Sequence, residues 1–132
     1  MSAFEVRSDR RVVLVDVTAQ VQSAVADSDV TEGAVLVYVP HTTAGVTINE
    51  AADPSVCADI AMALDKLVPA DLPFRHLEGN SDAHVKASLM GSSVTVPLAG
   101  GRLQLGTWQG IYFAEFDGPR RRQVLVTVLA AG

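Results

Sequence analysis

Two histidines enclose a short polar segment, His76–His84, which carries the residue types that a chemical site requires. Glu78, Asn80 and Asp82 lie between them, and helix-forming sequence follows. A segment this polar, interrupted by glycine, is not typical of a protein core. The pattern predicts a site at the entrance to a helix, between apolar strands.

The histidines predict either a metal site or acid–base catalysis. Three neutral imidazoles would leave a fourth position open on zinc, as in catalytic zinc sites. The spacing is not a standard zinc signature, because it matches neither HExxH nor CxxC…HxxxH. His76 and His84 could meet across the turn from loop to helix, whereas His41 must come from elsewhere in the fold or from another subunit. Histidine also titrates near neutral pH, which suits general acid–base catalysis. Glu50 and Asp82 are the carboxylates placed to orient an imidazole or to act as a base, although a solvated strand end and a helix N-terminal charge explain them equally well.

A basic run, Arg120–Arg122, could bind phosphate, because guanidinium groups match the geometry of phosphate oxygens. Strand alternation places Arg120 and Arg122 on one face. Thr42 and Thr43 could add hydroxyl donors to the same phosphate. The alternatives are a solvated strand start for the arginines and a turn for the threonines.

Trp108 and Gln109 stand between glycines, where the indole could stack on a heterocyclic ligand or simply pack. The sequence has no P-loop and no GxGxxG motif, so nothing supports a nucleotide cofactor.

The composition limits the class of protein. A chain of 132 residues with 48% hydrophobic content is sufficient for one domain with its own core, and disorder is not expected. A net charge of −5 argues against a nucleic-acid partner. A single cysteine, Cys57, excludes an intrachain disulfide, and no apolar run approaches the roughly 18 residues of a membrane span. The N-terminus lacks a signal-peptide pattern, so we predict a cytoplasmic protein. Valine and alanine supply much of the apolar content, which hints at burial between subunits.

Hydrophobic periodicity predicts an α+β domain over residues 1–132, with mostly antiparallel strands in sandwich-like sheets and about three helices. Strands are expected at 4–8, 11–17, 34–39, 46–49, 93–96, 103–105, 111–116 and 121–129, with Pro97 ending the fifth of these. The first helix is expected to begin at a Thr18 cap and the second at Asp53-Pro54. The third is expected to begin at Asn80 or Ser81, after a long loop over 69–80 of the kind that is usually functional.

Five motifs along the chain carry a family resemblance: His41-Thr42-Thr43-Ala44, Ile48-Asn49-Glu50, Asp82-Ala83-His84, Leu105-Gly106-Thr107-Trp108-Gln109 and Asp117-Gly118-Pro119-Arg120. Together they resemble the YjbQ-like family of secondary thiamine-phosphate synthases over essentially the whole chain. The resemblance implies a compact α+β domain that assembles as a homotrimer, with clustered histidines near a subunit boundary and a divalent metal (zinc or magnesium) bound there. It also implies an activity that joins hydroxymethylpyrimidine pyrophosphate to thiazole phosphate and releases pyrophosphate.

The synthase hypothesis gives each candidate residue a role. The metal ligands are His41, His76 and His84, and the catalytic residues are Glu50, Asp82 and His84. The residues expected to bind substrate are Thr42, Thr43, Asn80, Trp108, Gln109, Arg120 and Arg122. Two other hypotheses remain: a metal-dependent hydrolase of a small phosphorylated metabolite, with zinc held by the same histidines, and a non-catalytic trimeric protein that binds a metal or metabolite.

Overall fold

Eight strands and three helices make up the computed structural model, which describes residues 1–132. In chain order the elements are β1 (Ser2–Arg7), β2 (Val13–Asp16), α1 (Thr18–Ser28), β3 (Gly33–Tyr38), β4 (Ala44–Glu50), α2 (Pro54–Leu67), α3 (Ser81–Met90), β5 (Ser93–Ala99), β6 (Arg102–Leu103), β7 (Gln109–Glu115) and β8 (Arg121–Ala130).

All strand pairs are antiparallel and form two sheets. One sheet has the order β1-β8-β3-β5-β6 and the other has the order β2-β7-β4. The predicted α+β class with three helices is confirmed.

The main core lies where the two sheets face each other. Val35 and Val126 from the larger sheet join Val46 and Phe113 from the smaller one, and Val21 of α1 closes the cluster. These residues come from alternating positions of their strands, so each strand directs one row of side chains inward.

Strand β7 is buried on both faces, which explains its continuous apolar sequence. Ile111 and Phe113 enter the main core, whereas Ala114 packs in a second cluster with Ala83 and Ala87 of α3. A strand covered on both sides needs apolar residues at successive positions. Strand β7 is therefore the layer between the core and the helix that carries His84.

Helix α2 begins as predicted but packs less deeply than its periodicity indicates. Asp53 accepts a hydrogen bond from the Ser55 N–H at 2.9 Å, and Pro54 occupies the first turn. None of its residues is fully buried, and Met62 and Leu67 are 50% and 72% exposed. The chain thus leaves part of an apolar helix face uncovered.

One predicted helix cap is wrong, and a second stands at the predicted position without a cap bond. Val17, not Thr18, precedes α1; the Thr18 hydroxyl donates to Asp16 and accepts the Ile111 N–H at 2.9 Å, which ties the helix start to β7. Asn80 stands at the cap position of α3, but its side chain makes no cap bond. The Asn80 amide nitrogen donates instead to Asp117 at 3.0 Å, and its buried Oδ1 accepts no hydrogen bond within the chain.

Strand β5 runs through Pro97, contrary to the prediction that the proline ends it. The Pro97 carbonyl accepts a hydrogen bond from the Gln104 N–H on the side of β6. The N and C=O groups of one residue point to the same side of an antiparallel strand, so the N–H that Pro97 lacks would also face β6 and not β3. Because β6 pairs only with Leu98 and Ala99, the proline removes no hydrogen bond from the β3–β5 ladder.

The helices also lack the combination of length and hydropathy that a bilayer-spanning segment needs.

Candidate functional site

His41 and His84 line one open cavity of about 520 Å³, which we call the histidine pocket. Its walls come from the β3–β4 connection, the body of α3 and the turn before β5. The lining residues are His41, Thr42, Ala44, His84, Ala87, Ser88, Gly91 and Ser92. None of them is charged at neutral pH when the histidines are neutral, so the pocket presents imidazoles and hydroxyls only.

Close backbone contact forms one wall of this pocket. The Val46 N–H donates to the Gly91 carbonyl at 3.1 Å, which joins the end of α3 to β4. A Cβ atom on Gly45 would lie 2.5 Å from that same carbonyl oxygen. Glycine is therefore required at position 45, because any side chain would push α3 away from the sheet.

His41 is held as a neutral imidazole. The Gln123 N–H donates to its Nε2 at 2.9 Å, so in the neutral ring the proton lies on Nδ1. Partial burial and the nearby Arg122 cation lower the pKa of His41 below its usual 6.5. At neutral pH, His41 is therefore a hydrogen-bond donor through Nδ1 and not a cation.

His84 lies in the first half of α3 and packs against His76. Their ring centroids are 5.4 Å apart in an edge-to-face arrangement, and His76 Nε2 is 3.6 Å from Glu78 Oε2. His76 does not line the histidine pocket. His84 thus lines the pocket together with His41 and also contacts His76.

The residues of one chain do not fit the predicted three-histidine metal site. Nowhere in the chain do three His, Cys, Asp or Glu side chains converge as metal ligands. The Nε2 of His41 is also already engaged by the Gln123 N–H. The arrangement supports hydrogen bonding to a ligand at His41 and His84 better than coordination of a metal by all three.

Arg122 lies in a buried ion-pair network beside His41, not in the pocket. Its Nε donates to Glu115 at 2.9 Å and its Nη2 donates to both Glu115 and Thr43. The Ser8 hydroxyl donates to Glu115 at 2.8 Å. Burial opposes ionisation of Glu115, but the hydrogen bonds from Arg122 and Ser8 outweigh it and hold its pKa below 4.5. Arg122 and Thr43 therefore position the His41 segment.

Asp82 is also engaged in ion pairs. It is 1% exposed, with Arg11 Nη2 at 3.0 Å and Lys86 Nζ at 3.4 Å. Lys86 is fully buried and reaches Asp65 of α2 at 2.9 Å. Burial opposes ionisation of Asp82, and the Arg11 hydrogen bond and charge more than compensate, so its pKa is lowered. Asp82 thus fastens α3 to the β1–β2 connection and, through Lys86, to α2.

Asn80 and Arg120 meet on Asp117, which belongs to the fifth motif but is not among the predicted site residues. Asn80 Nδ2 donates to Asp117 Oδ2 at 3.0 Å, and Arg120 Nη2 donates to the same oxygen at 2.9 Å. Burial raises the pKa of Asp117, but these bonds lower it by more. The Asn80 carbonyl accepts the His84 N–H at 3.3 Å, so this cluster adjoins the first turn of α3. The Arg120 side chain is 53% exposed and remains accessible to an anion.

Glu50, Trp108 and Gln109 form a separate surface with Ile48 and Asn49, around a second cavity of about 380 Å³. We call it the tryptophan surface. Trp108 is 64% exposed, and Glu50 has no ion pair within the chain; its Oε2 accepts only the Ala52 N–H at 3.3 Å. Glu50 and Gln109 are register partners at one end of the β4–β7 pair.

The tryptophan surface and the histidine pocket lie at opposite ends of β4. Ala44 lines the pocket and Glu50 lines the tryptophan surface. At about 3.3 Å per residue, these two positions are separated by about 20 Å. The predicted site residues that line a cavity therefore fall into two groups within one chain, and no side chain spans the gap.

Sequence reasoning missed two hydroxyls of the pocket, Ser88 and Ser92. Ser88 stands four residues after His84, so helical spacing alone places it on the same face. Ser92 had no comparable signal, because its place depends on how the turn after α3 meets the β3–β4 connection. There the Val39 N–H donates to the Ser92 carbonyl at 2.8 Å.

Comparison with known proteins gives consistent matches along the chain. A family model described as UPF0047 protein YjbQ-like matches residues 2–131. UPF0047 protein MJ1081 of Methanocaldococcus jannaschii is 53% identical over 96% of this chain and 91% of its own length. UPF0047 protein YugU of Bacillus subtilis is 44% identical over 98% of each chain. The crystal structure of an uncharacterized YjbQ/UPF0047 protein from Clostridium acetobutylicum superposes with a TM-score of 0.96 at 50% identity, covering 98% of this chain and 100% of its own.

Proposed function

The chain belongs to the YjbQ-like UPF0047 family, and from this premise we propose that it is a thiamine-phosphate synthase whose reaction takes place at the histidine pocket. The reaction would join hydroxymethylpyrimidine pyrophosphate to thiazole phosphate and release pyrophosphate. One observation carries the proposal: two imidazoles and three hydroxyls from three separate segments converge on one cavity of about 520 Å³. Cavities of this volume hold small metabolites, and their few polar groups orient the ligand.

The proposed chemistry places hydrogen-bond donors where negative charge develops. As pyrophosphate leaves, its bridging oxygen becomes an anion that needs donors or cations. The Nδ1–H of His41 and the hydroxyls of Thr42 and Ser92 are donors of this kind, whereas the Ser88 hydroxyl already donates to the His84 carbonyl at 3.0 Å. His84 is the second imidazole of the pocket and is the proposed proton-transfer group.

Arg120 is the proposed electrostatic partner of the phosphates. Its side chain is half exposed, and Asp117 fixes its direction through two hydrogen bonds at 2.8 and 2.9 Å. A guanidinium held in this way can still bind a phosphate oxygen with its remaining N–H groups. Arg122 does not share this role, because Glu115 and Thr43 already engage it in the interior.

Asp82 and Thr43 act as positioning residues in this proposal. Asp82 is buried between Arg11 and Lys86, and Thr43 accepts a hydrogen bond from Arg122. Neither side chain lines the histidine pocket. Glu50, Trp108 and Gln109 lie too far away to act on a ligand of the same chain's pocket.

The test is to incubate the purified protein with each substrate alone and with both together, and to measure thiamine phosphate and released phosphate. We expect thiamine phosphate only when both substrates are present. The His84→Ala variant should lose about 100-fold or more of this activity, the scale of general acid–base catalysis. Lys66→Ala, an exposed position of α2 outside both cavities, is the matched control and should keep it.

Other outcomes point to the other functions. Phosphate released from one substrate alone would favour the metal-dependent hydrolase. Binding without turnover of either substrate would favour a metabolite-binding protein. Either outcome would overturn the synthase proposal.

A further inference from the structure

We infer that the histidine pocket of one copy is completed by the tryptophan surface of a second copy of the same chain. The inference rests on the proposed function in one respect, because it takes both groups to serve one reaction. The ligand would then bind between two copies, with imidazoles and hydroxyls on one side and Glu50, Trp108 and Gln109 on the other.

The separation of the two groups is the first argument. They lie about 20 Å apart at the two ends of β4, a strand held in a continuous ladder with β7 from Ala44 to Glu50. A ladder of this kind, with Val46 and Phe113 in the core, does not fold back on itself. Only a neighbouring copy can bring a Glu50 carboxylate to the histidine pocket.

Each group also lacks what the other provides. The histidine pocket has no carboxylate and no large aromatic side chain among its lining residues. The tryptophan surface has a carboxylate, two amide side chains and an indole, but no imidazole and no hydroxyl. Glu50 has no cation to pair with in its own chain. Together they supply an acid–base group, donors and a stacking plate for a heterocycle.

Exposed apolar side chains border both groups. On α3, Leu89 is 62% exposed and Val85 is 39% exposed, close to Ser88 of the pocket, and Trp108 is 64% exposed on the other surface. Large apolar groups clustered beside a polar site are typical of interaction surfaces. Contact between the two surfaces would bury Leu89 and Trp108 together.

The two surfaces are different parts of the chain, so their contact is heterologous. Repeated contacts of this type close into a ring when the rotation between copies permits it. A ring of three copies, as the family resemblance implies, would contain three equivalent sites, each built from two neighbours.

Fluorescence of Trp108 tests the contact without any assay of activity. Trp108 is the single tryptophan, so emission and acrylamide quenching report on this surface alone. We expect an assembly larger than 13.9 kDa with blue-shifted emission and weak quenching. Leu89→Asp should shift the emission to the red and make quenching strong, whereas Leu129→Asp, 51% exposed on β8, should leave both unchanged.

A chain mass of 13.9 kDa in solution, or a larger assembly whose Trp108 is freely quenched, would overturn the inference. These readouts hold whatever reaction the protein performs. If Trp108 is protected but no thiamine phosphate is made, the proposed function fails and the composite site stands.

Complementation tests whether the contact builds the site. His84→Ala and Glu50→Ala should each abolish activity. In assemblies made from equal amounts of the two variants, about one quarter of the sites would combine an intact His84 with an intact Glu50 of the neighbour. We expect activity to return to about this fraction of wild type; mixed assemblies that remain inactive would show that each site lies within one chain.

Discussion

The Glu115–Arg122 network and the histidine pocket are adjacent, but their polar side chains differ in burial and in how many of their hydrogen-bonding positions are occupied. Glu115 and Arg122 are fully ionised, buried, and bonded to each other and to Ser8 and Thr43. His41 and His84 face an open cavity and keep hydrogen-bonding positions that no other group of the chain occupies. Whether a polar side chain stabilises the fold or can bind a ligand therefore depends on how many of its hydrogen-bonding positions are free, and not on its residue type.

The comparison also predicts how each group responds to mutation. A buried ion pair that loses one partner leaves a charge without compensation, which is costly. A pocket side chain that is truncated leaves only solvent, so the fold loses little and the chemistry is affected instead. Substitutions in the Glu115–Arg122 network should therefore lower the stability, and substitutions in the histidine pocket should lower the activity.

The largest loss of stability is expected at Glu115→Ala. Removal of the carboxylate leaves the Arg122 guanidinium buried without its partner, at a cost of about 3–5 kcal/mol in the free energy of unfolding. Urea denaturation followed by circular dichroism would measure it. Arg122→Met added to Glu115→Ala removes the orphaned charge and should restore part of the stability. A loss below about 1 kcal/mol for the single variant would contradict the assigned role of the network.

A smaller loss is expected at Asp82→Ala. Lys86 keeps Asp65 as a partner at 2.9 Å, so we expect a cost of about 2 kcal/mol. Adding Lys86→Met should recover stability, and turnover per folded molecule should stay within a few-fold of wild type in both variants. A folded Asp82→Asn protein without turnover would instead place Asp82 in the chemistry.

The smallest effect is expected at His76→Ala. The His76 side chain is 45% exposed and contributes one edge-to-face contact with His84, so its loss should cost less than about 1 kcal/mol. Thermal unfolding of His76→Ala, measured in parallel with the control variant Lys66→Ala, would detect this loss of stability. A loss of stability as large as that of Glu115→Ala would contradict the distinction between the exposed histidines and the buried Glu115–Arg122 network.

Much of the frame could be predicted from local sequence. The alternation of Val124 and Val126 predicts strand β8, and both side chains are buried in the core. Asp53-Pro54 predicts the start of α2, because capping involves residues only two positions apart. Signals of this kind depend on neighbours in sequence, so a single sequence contains them.

The roles of polar residues were harder to predict, because their partners are distant in sequence. Asp82 pairs with Arg11 across 71 positions, and Arg122 reaches Thr43 across 79. Periodicity says nothing about such pairs, so the sequence suggests a catalytic role for Asp82 and a substrate-binding role for Arg122 but does not reveal the ion pairs that both residues form inside the protein. The division of the site into two groups was equally invisible, because it depends on the direction and length of β4.

The contact of Gly45 with the Gly91 carbonyl has a consequence for how the pocket can diversify. That wall is built from main-chain atoms of two elements held together by a hydrogen bond, so exchange of side chains cannot widen it. Variation in ligand size among relatives, or in engineered variants, must come from side chains that line the cavity, such as Ser88 and Ser92. In a library of variants at those two positions, each new side chain would change the shape of the pocket while the main-chain wall stays fixed.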